Sequence, residues 1–479
     1  MPRPTLSAAL VALLTPGLLV AGLGAPSAAA TPPVVLESGS TPDTRPFPDD
    51  AFTVADAAQA TGRRIALPTA GCAPAECADL ALLNRMDGFD VRPRVTLPFS
   101  AEVDLSTITP ETVRVLGPDG FRTGLVQLVQ DPITGTVSGY PDAYLAPGTR
   151  HTLVVTAGIL ATDGTPVDVG GASYRTTFTT MTTTDVLDDV RAALDAGAAY
   201  DDAGIGAGER TVRFDTADDG RPSIFPASIT TTGIVAQQQT GTSTFTPYNV
   251  PNTAKTYATY GFGSFSSPQY LGADVTIAPT PSGAAPAPVG AAELGVAMIA
   301  PAPSAECISP VVFGHGFTRS KLDLFLSADT LGQSNLAVFA TDVPGHGFGP
   351  DSTYAVRTAA GTRTGDLLTR GRDVNGDGVI GNTEGVAAGG ANSTVGSRDA
   401  LIQAVVDNMA LVRALEKGVD VDGNGTVDTC VGNGVVTYFG QSFGGIYGTM
   451  LLGTDPKVEA GVPNVPGGPI TEISRLGAF

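Results

Sequence analysis

A serine held between glycines where a strand turns into a helix can act as a nucleophile. Gly440-Gln441-Ser442-Phe443-Gly444-Gly445 has that form. It follows the β-branched and aromatic run Val435–Phe439 and precedes the helix-compatible stretch Ile446–Leu452. Such a sharp turn strains the serine backbone and leaves no room for side chains two positions away on either side, which is where Gly440 and Gly444 stand. The helix behind it aims N–H groups and its positive dipole end at the carbonyl under attack. The letters alone also fit an ordinary glycine-rich junction, because this chain holds 60 glycines. Context therefore decides.

Upstream, Val311-Val312-Phe313-Gly314-His315-Gly316-Phe317 ends another apolar run, and Asp342-Val343-Pro344-Gly345-His346-Gly347 ends the next. In α/β-hydrolases a His-Gly turn of this kind carries the second oxyanion donor. The N–H of Phe317 would then work with that of Phe443. His315 is expected to shape this loop, with His346 a loop residue near the pocket. His151 falls in an unrelated region. The fold runs nucleophile, then acid, then histidine, and no histidine follows Ser442. The acid and histidine of the triad are accordingly expected beyond residue 479, Asp455 being read as a helix end. A serine without its base keeps only about 10³–10⁴-fold acceleration over water.

A second chemistry is written at Asp373-Val374-Asn375-Gly376-Asp377-Gly378-Val379-Ile380-Gly381-Asn382-Thr383-Glu384. Asp373, Asn375 and Asp377 occupy positions 1, 3 and 5 of a twelve-residue calcium loop. Gly378 supplies the turn, Val379 a carbonyl and Glu384 the closing carboxylate. A structural Ca²⁺ is expected there, and no organic cofactor. The stretch Asp420, Asp422, Asn424, Thr426, Asp428 opens in the same way but has Val431 where the final glutamate belongs, making it a weaker candidate.

These residues need positioning elements. Pro310–Gly314 and Leu336–Thr341 read as buried strands with the helix-compatible Lys321–Leu331 between them, a βαβ unit that implies a parallel sheet. Arg398–Lys417 reads as an amphipathic helix with Leu401, Val405, Met409, Val412 and Leu415 on one face and Ser397 as N-cap. Val458–Val462 is a further strand. Before them, Arg94–Phe99, Thr112–Leu116 and Thr152–Thr156 alternate with turn clusters in the rhythm of a small β-sandwich. Thr184–Ala199 is helical, and Gly204–Pro251, rich in Thr, Gln and Ser, reads as a loop-rich connector. The expected division is a signal peptide over 1–30, an all-β sandwich over 31–182, a connector over 183–250, and a partial α/β-hydrolase domain over 251–479.

The signal peptide rests on Arg3, the apolar run Ala8–Gly24 and Ala28-Ala29-Ala30, and it predicts a secreted protein. No later segment is apolar enough to span a bilayer. A net charge of −20 opposes nucleic acid and anionic membrane surfaces and suits neutral substrates and divalent cations. In an oxidising compartment the four cysteines allow three pairings; Cys72–Cys77 and Cys307–Cys430 are favoured, the latter because both lie just before strands expected to be neighbours.

Phe99-Ser100-Ala101-Glu102-Val103-Asp104 and Leu145-Ala146-Pro147-Gly148-Thr149 resemble the wording of Ig-like modules in bacterial exported proteins. From about Gly88 to Gly468 the chain resembles exported bacterial lipases of the virulence-factor type, most specifically at Gly314–Phe317, Asp342–Gly347, Asp373–Gly378 and Gly440–Gly445. That resemblance implies an Ig-like region before an α/β-hydrolase domain, and acyl transfer from a lipid or other carboxylic ester to water through Ser442. The lipidation cysteine of some relatives is absent. A peptidase or polyester hydrolase on the same fold, or a non-catalytic surface or adhesion protein, are the alternatives.

Overall fold

The structure is a computed structural model describing residues 33–467, apart from 74–76, 78–79, 82, 183–184, 215–219, 228–230, 252–256, 279–284, 302–306, 383, 385–392, 422–423, 425, 429–430 and 432–434. The export signal, Asp422 and Cys430 thus lie outside the described residues.

Short alternating strands build the N-terminal module. Val95–Pro98, Thr136–Pro141 and Leu125–Gln130 form one antiparallel sheet. Arg122–Thr123, Val113–Leu116, Arg150–Thr156 and Ser173–Thr179 form another. Their inward positions, among them Val95, Leu97, Val113, Val115, Val137, Leu153, Val155 and Phe178, share one apolar core. His151 is buried here, its Nε2 3.2 Å from the Ala146 carbonyl.

The second half is organised around a mixed sheet. Its strands are β1 (Ile224–Pro226), β4 (Thr259–Gln269), β5 (Gly290–Ala300), β6 (Pro310–Gly314), β7 (Ala337–Thr341), β10 (Val436–Gln441) and β11 (Val458–Asn464). The spatial order is β1-β4-β5-β7-β6-β10-β11. The first four are antiparallel neighbours, whereas β7, β6, β10 and β11 run parallel. The sheet is therefore mixed rather than mostly parallel.

Both faces of β6 and β7 are apolar because both are covered. Val312 and Phe339 face a layer of helices: α1 (Asp185–Ala196), the short α2 (Ala198–Asp202), α4 (Ser393–Leu415) and α5 (Phe443–Thr454). Val311, Phe313, Val338 and Ala340 face the other side. There an antiparallel sheet of β2 (Thr231–Gly241), β3 (Thr244–Val250), β8 (Thr353–Thr358) and β9 (Gly361–Asp366), in the order β3-β2-β8-β9, contributes Ile234, Ala236, Tyr354 and Val356. Much of the Gly204–Pro251 stretch expected to be loop is thus strand, since β1, β2 and β3 all fall inside it. The Lys321–Leu331 stretch divides into a 3-10 turn, Lys321–Leu326, and a short helix α3 (Ala328–Gln333).

Helix α4 begins at Ser393, a turn before the expected cap. It is not one-faced either. Asp399, Gln403, Asp407, Asn408 and Arg413 are buried along with the apolar stripe. Residues 399, 403 and 407 recur at i, i+4, so they line one face. The Asp399 carboxylate accepts the Ile277 N–H at 2.7 Å, the Gln403 side-chain carbonyl accepts the Tyr270 N–H at 2.8 Å, and the Asp407 carboxylate accepts from the Ser267 hydroxyl at 2.7 Å. Arg370 pairs with the same Asp407.

Cys72 and Cys77 are bonded, with Cα atoms 5.4 Å apart, as expected. Cys307 is also disulfide-bonded. Ile308 bridges Val431 in parallel immediately beside it.

Candidate active site

Strand register brings the site together. β6 and β10 run side by side with Gly314 opposite Gly440, so the His-Gly turn and the serine leave the same edge of the sheet. β7 pairs with β6 on its other side, with Ala340 opposite Phe313, and so delivers the Asp342–Gly347 loop to that edge too.

Ser442 has φ 54° and ψ −112°, a left-handed backbone that a non-glycine residue adopts only under tertiary constraint. It is the N-cap of α5, yet its side chain makes no capping bond, and the residue is exposed. The surrounding glycines are required by space. A Cβ on Gly440 would strike the Gly444 carbonyl, and one on Gly444 would strike the Gly314 carbonyl. One on Gly445 would sit 2.9 Å from Pro466 Cα. Tyr438 passes beneath the bend, its hydroxyl donating to the Gly444 carbonyl at 2.5 Å. Gln441 is exposed beside the serine.

Phe443 opens α5, so its N–H is among those that a helix start leaves without an intrahelical partner. The 314–317 turn lies against it. A Cβ on Gly316 would be 3.7 Å from Ser442 Cβ, and the Phe317 and Phe443 rings meet edge to face with centroids 5.6 Å apart.

Both upstream histidines are inside. His315 Nδ1 lies 2.9 Å from the Gly316 carbonyl, and its Nε2 accepts the Val343 N–H at 3.2 Å. These partners make it a neutral imidazole joining the two loops. His346 stacks on Phe443, with centroids 5.7 Å apart, and its Nδ1 lies 3.1 Å from the Pro344 carbonyl. Burial, with His315 adding to it, pushes the His346 imidazole down to about 3. It is neutral at physiological pH and a poor proton acceptor. Asp455, capping α5, is engaged by Arg413 at 2.6 Å across to α4. Its carboxylate is a strut between helices.

A further pair escaped sequence reasoning. Lys321 and Asp342 are both buried, with Nζ donating to Oδ2 at 2.6 Å and to the Leu367 carbonyl at 2.7 Å, while the Lys321 N–H donates to Oδ1 at 2.7 Å. This pair fastens the Asp342–Gly347 loop to the segment leaving the 314–317 turn. Its only sequence signals were a lysine at the head of the largely apolar Lys321–Leu326 and, twenty-one residues on, the aspartate that follows the run Ala337–Thr341.

No family model matches the chain, and no curated protein matches it. Among solved structures it is similar to a cold-adapted esterase from an Arctic intertidal metagenomic library, at 17% identity over 42% of this chain and 59% of that one, with a TM-score of 0.23. A peroxisomal alpha-beta-hydrolase from Saccharomyces cerevisiae gives 14% identity, 41% of each chain and 0.24. Acetyl xylan esterase 1 from Thermoanaerobacterium gives 19%, 40% of this chain, 55% of that one and 0.22. The chain spans roughly half the length of these proteins. Among the described residues, no helix is long and apolar enough to cross a membrane.

The 373–384 loop lies near the same edge. Carboxylate oxygens of Asp373, Asp377 and Glu384 fall within 4.8 Å of one another. Asp373 accepts the N–H groups of Gly376, Asp377 and Gly378 at 2.7, 3.1 and 2.8 Å, which curls the loop around it. Asn375 accepts from Asp377 N–H, and Val379 N–H donates to Asp377, both at 2.8 Å. Burial raises the Glu384 pKa, and the charges of Asp373 and Asp377 raise it further. The all-oxygen donor set suits Ca²⁺. In the second loop, Asp428 accepts the Val421 N–H at 2.9 Å, Asp420 the Asn424 N–H at 3.2 Å and Asn424 the Thr426 N–H at 2.8 Å, so these side chains tie the turn internally.

Proposed function

We propose that this chain is a serine hydrolase of carboxylic esters, with Ser442 forming an acyl-enzyme. The observation that carries the reading is the left-handed, exposed serine at the start of α5, with glycines packed solid on both sides and the 314–317 turn alongside. A backbone strained in this way is retained where it aims a hydroxyl. The order β4-β5-β7-β6-β10-β11, with an antiparallel second strand followed by parallel ones, is the α/β-hydrolase arrangement and supports the same reading.

In that mechanism the Ser442 hydroxyl gives up its proton and attacks the ester carbonyl, whose oxygen becomes the oxyanion. Collapse expels the alcohol, which takes up that proton, and leaves the acyl group on Ser442. The N–H groups of Phe443 and Phe317 are the proposed donors, and a donor of this kind is worth about 10²–10³ in rate. The described histidines do not supply the base, since His315 uses both ring nitrogens, His346 is too weak a base with its pKa pushed down to about 3 by burial, and His151 lies in the N-terminal module. Phe317, His346 and Phe443 give the site an aromatic wall, which favours a neutral, apolar acyl or aryl group over a charged one. Export, an Ig-like identity for the N-terminal module and Ca²⁺ in the 373–384 loop are further parts of the proposal.

The test is hydrolysis of p-nitrophenyl acetate, butyrate and decanoate by the natural protein and by Ser442→Ala. The expected result is saturable turnover that falls at least a thousandfold in the variant. Turnover that survives in Ser442→Ala overturns the assignment.

A further inference from the structure

The calcium-type loop touches the proposed oxyanion turn, and that contact suggests what an ion would do. Glu384 is only 8% exposed. The carboxylate is held by the Gly381 N–H, which donates to Oε2 at 2.8 Å, and is also stabilised by the Asn375 backbone, while its Oε1, screened from solvent, makes no full hydrogen bond among the described residues. A buried carboxylate oxygen left in this state costs on the order of 1–3 kcal/mol, more when charged, unless something occupies it. One carboxylate oxygen from each of Asp373, Asp377 and Glu384 lies within 4.8 Å of the other two, so the loop gathers negative charge and oxygen donors at one place. A hard divalent cation satisfies all three carboxylates together.

Between Gly381 and Glu384 stands Asn382. Its side-chain amide donates to the Thr318 carbonyl at 3.0 Å, across 64 residues of sequence. Thr318 has φ 65° and directly follows Phe317, so this residue turns the chain away from the proposed donor. On its other side the loop is pinned to β2, where Val379 bridges Gly241 and the Ile380 N–H donates to the Thr240 carbonyl at 3.0 Å. The loop therefore spans the end of β2 and the bend that holds Phe317.

We propose that the 373–384 loop binds one calcium ion and that the bound ion, through Asn382, fixes the 314–319 turn in the conformation needed for catalysis. Without the ion, three neighbouring carboxylates repel one another, the loop loosens between its two anchors, and Thr318 loses its clamp. The catalytic consequence rests on the esterase reading above; the ion site and its hold on the turn do not.

The experiment uses the full chain stripped with chelator. Calorimetric titration with CaCl₂ should show one equivalent of binding that is missing from Asp377→Asn/Glu384→Gln, and also from the single Asp377→Asn at an exposed position. Hydrogen–deuterium exchange of the 314–320 segment should slow at least fivefold on adding Ca²⁺. Asn382→Ala should bind Ca²⁺ within about threefold of the parent and lose that protection. Ser442→Ala should keep both binding and protection, so a chain without esterase activity leaves the inference standing. Binding that persists in the double variant, or exchange in 314–320 indifferent to Ca²⁺ in the parent, overturns it. For an active esterase, chelation should lower turnover at least tenfold in the parent, and Asn382→Ala should be equally slow with or without Ca²⁺.

Discussion

At the scale of single residues, the site depends on atoms that are missing as much as on atoms that are present. Gly444 has no space for a methyl group, because the Gly314 carbonyl fills it. Overpacking of main chain against main chain costs about 3 kcal/mol or displaces the bend. Gly444→Ala should therefore lower the urea midpoint and abolish turnover together. His346 gives a pH prediction of definite sign. Its folded pKa is depressed to about 3 from an ordinary 6.5, so the unfolded chain takes up a proton that the fold refuses. Stability from this residue is complete above pH 6.5 and is lost as pH falls from there towards 3. His346→Phe, which keeps the stack on Phe443, should have a stability–pH slope shallower by up to about 1.4 kcal/mol per pH unit in that window. Denaturant titrations of parent and variant at pH 4, 5, 6 and 7 check this, and parallel slopes contradict it. The serine bend and the His-Gly turn were legible because a glycine pattern at two strand ends reports a local steric demand. The Lys321–Asp342 pair was not, since nothing local announces which buried lysine will meet which aspartate.

Elements were legible in proportion to how much of them is buried. Pro310–Gly314 is a fully buried run, and its observed bounds match the expected ones. β2 and β3 went unseen because a sheet with one solvated face is written in Thr, Gln and Ser, with only alternate positions such as Ile234 and Ala236 betraying it. Of the two strands that flank β2, one is its hairpin partner β3, but the other, β8, lies more than a hundred residues downstream. Helix α4 was misjudged in the opposite sense. Its polar residues suggested a solvated face, whereas Asp399, Gln403 and Asp407 are buried and spent on the backbone and side chains of 267–277 and on Arg370. Breaking one member of such a buried ion pair costs about 3–5 kcal/mol. Asp407→Ala should destabilise the protein by that amount in equilibrium unfolding. A loss below about 1 kcal/mol would mean the network is not formed in solution.

The whole molecule has separate interiors. The N-terminal sandwich encloses its own core, while the mixed sheet has one on each face, the helical side including Leu187, Val190 and Leu194 of α1. The helix just after the sandwich therefore belongs energetically to the site-bearing half. Scanning calorimetry should resolve two transitions, and chelator should move only that of the 185–467 half. A single transition shifting as one would contradict this division. The pull of the acidic composition towards cations and away from polyanions acts at the same scale, since the formal net charge of −20 sets a long-range field no single loop creates.

The most direct measurement is to treat the natural protein with a fluorophosphonate, digest it, and locate the added mass by tandem mass spectrometry. One adduct is expected, on the Ser442 hydroxyl, absent in Ser442→Ala and blocked by a competing ester. An adduct on another serine, or one that forms equally in Ser442→Ala, would contradict it.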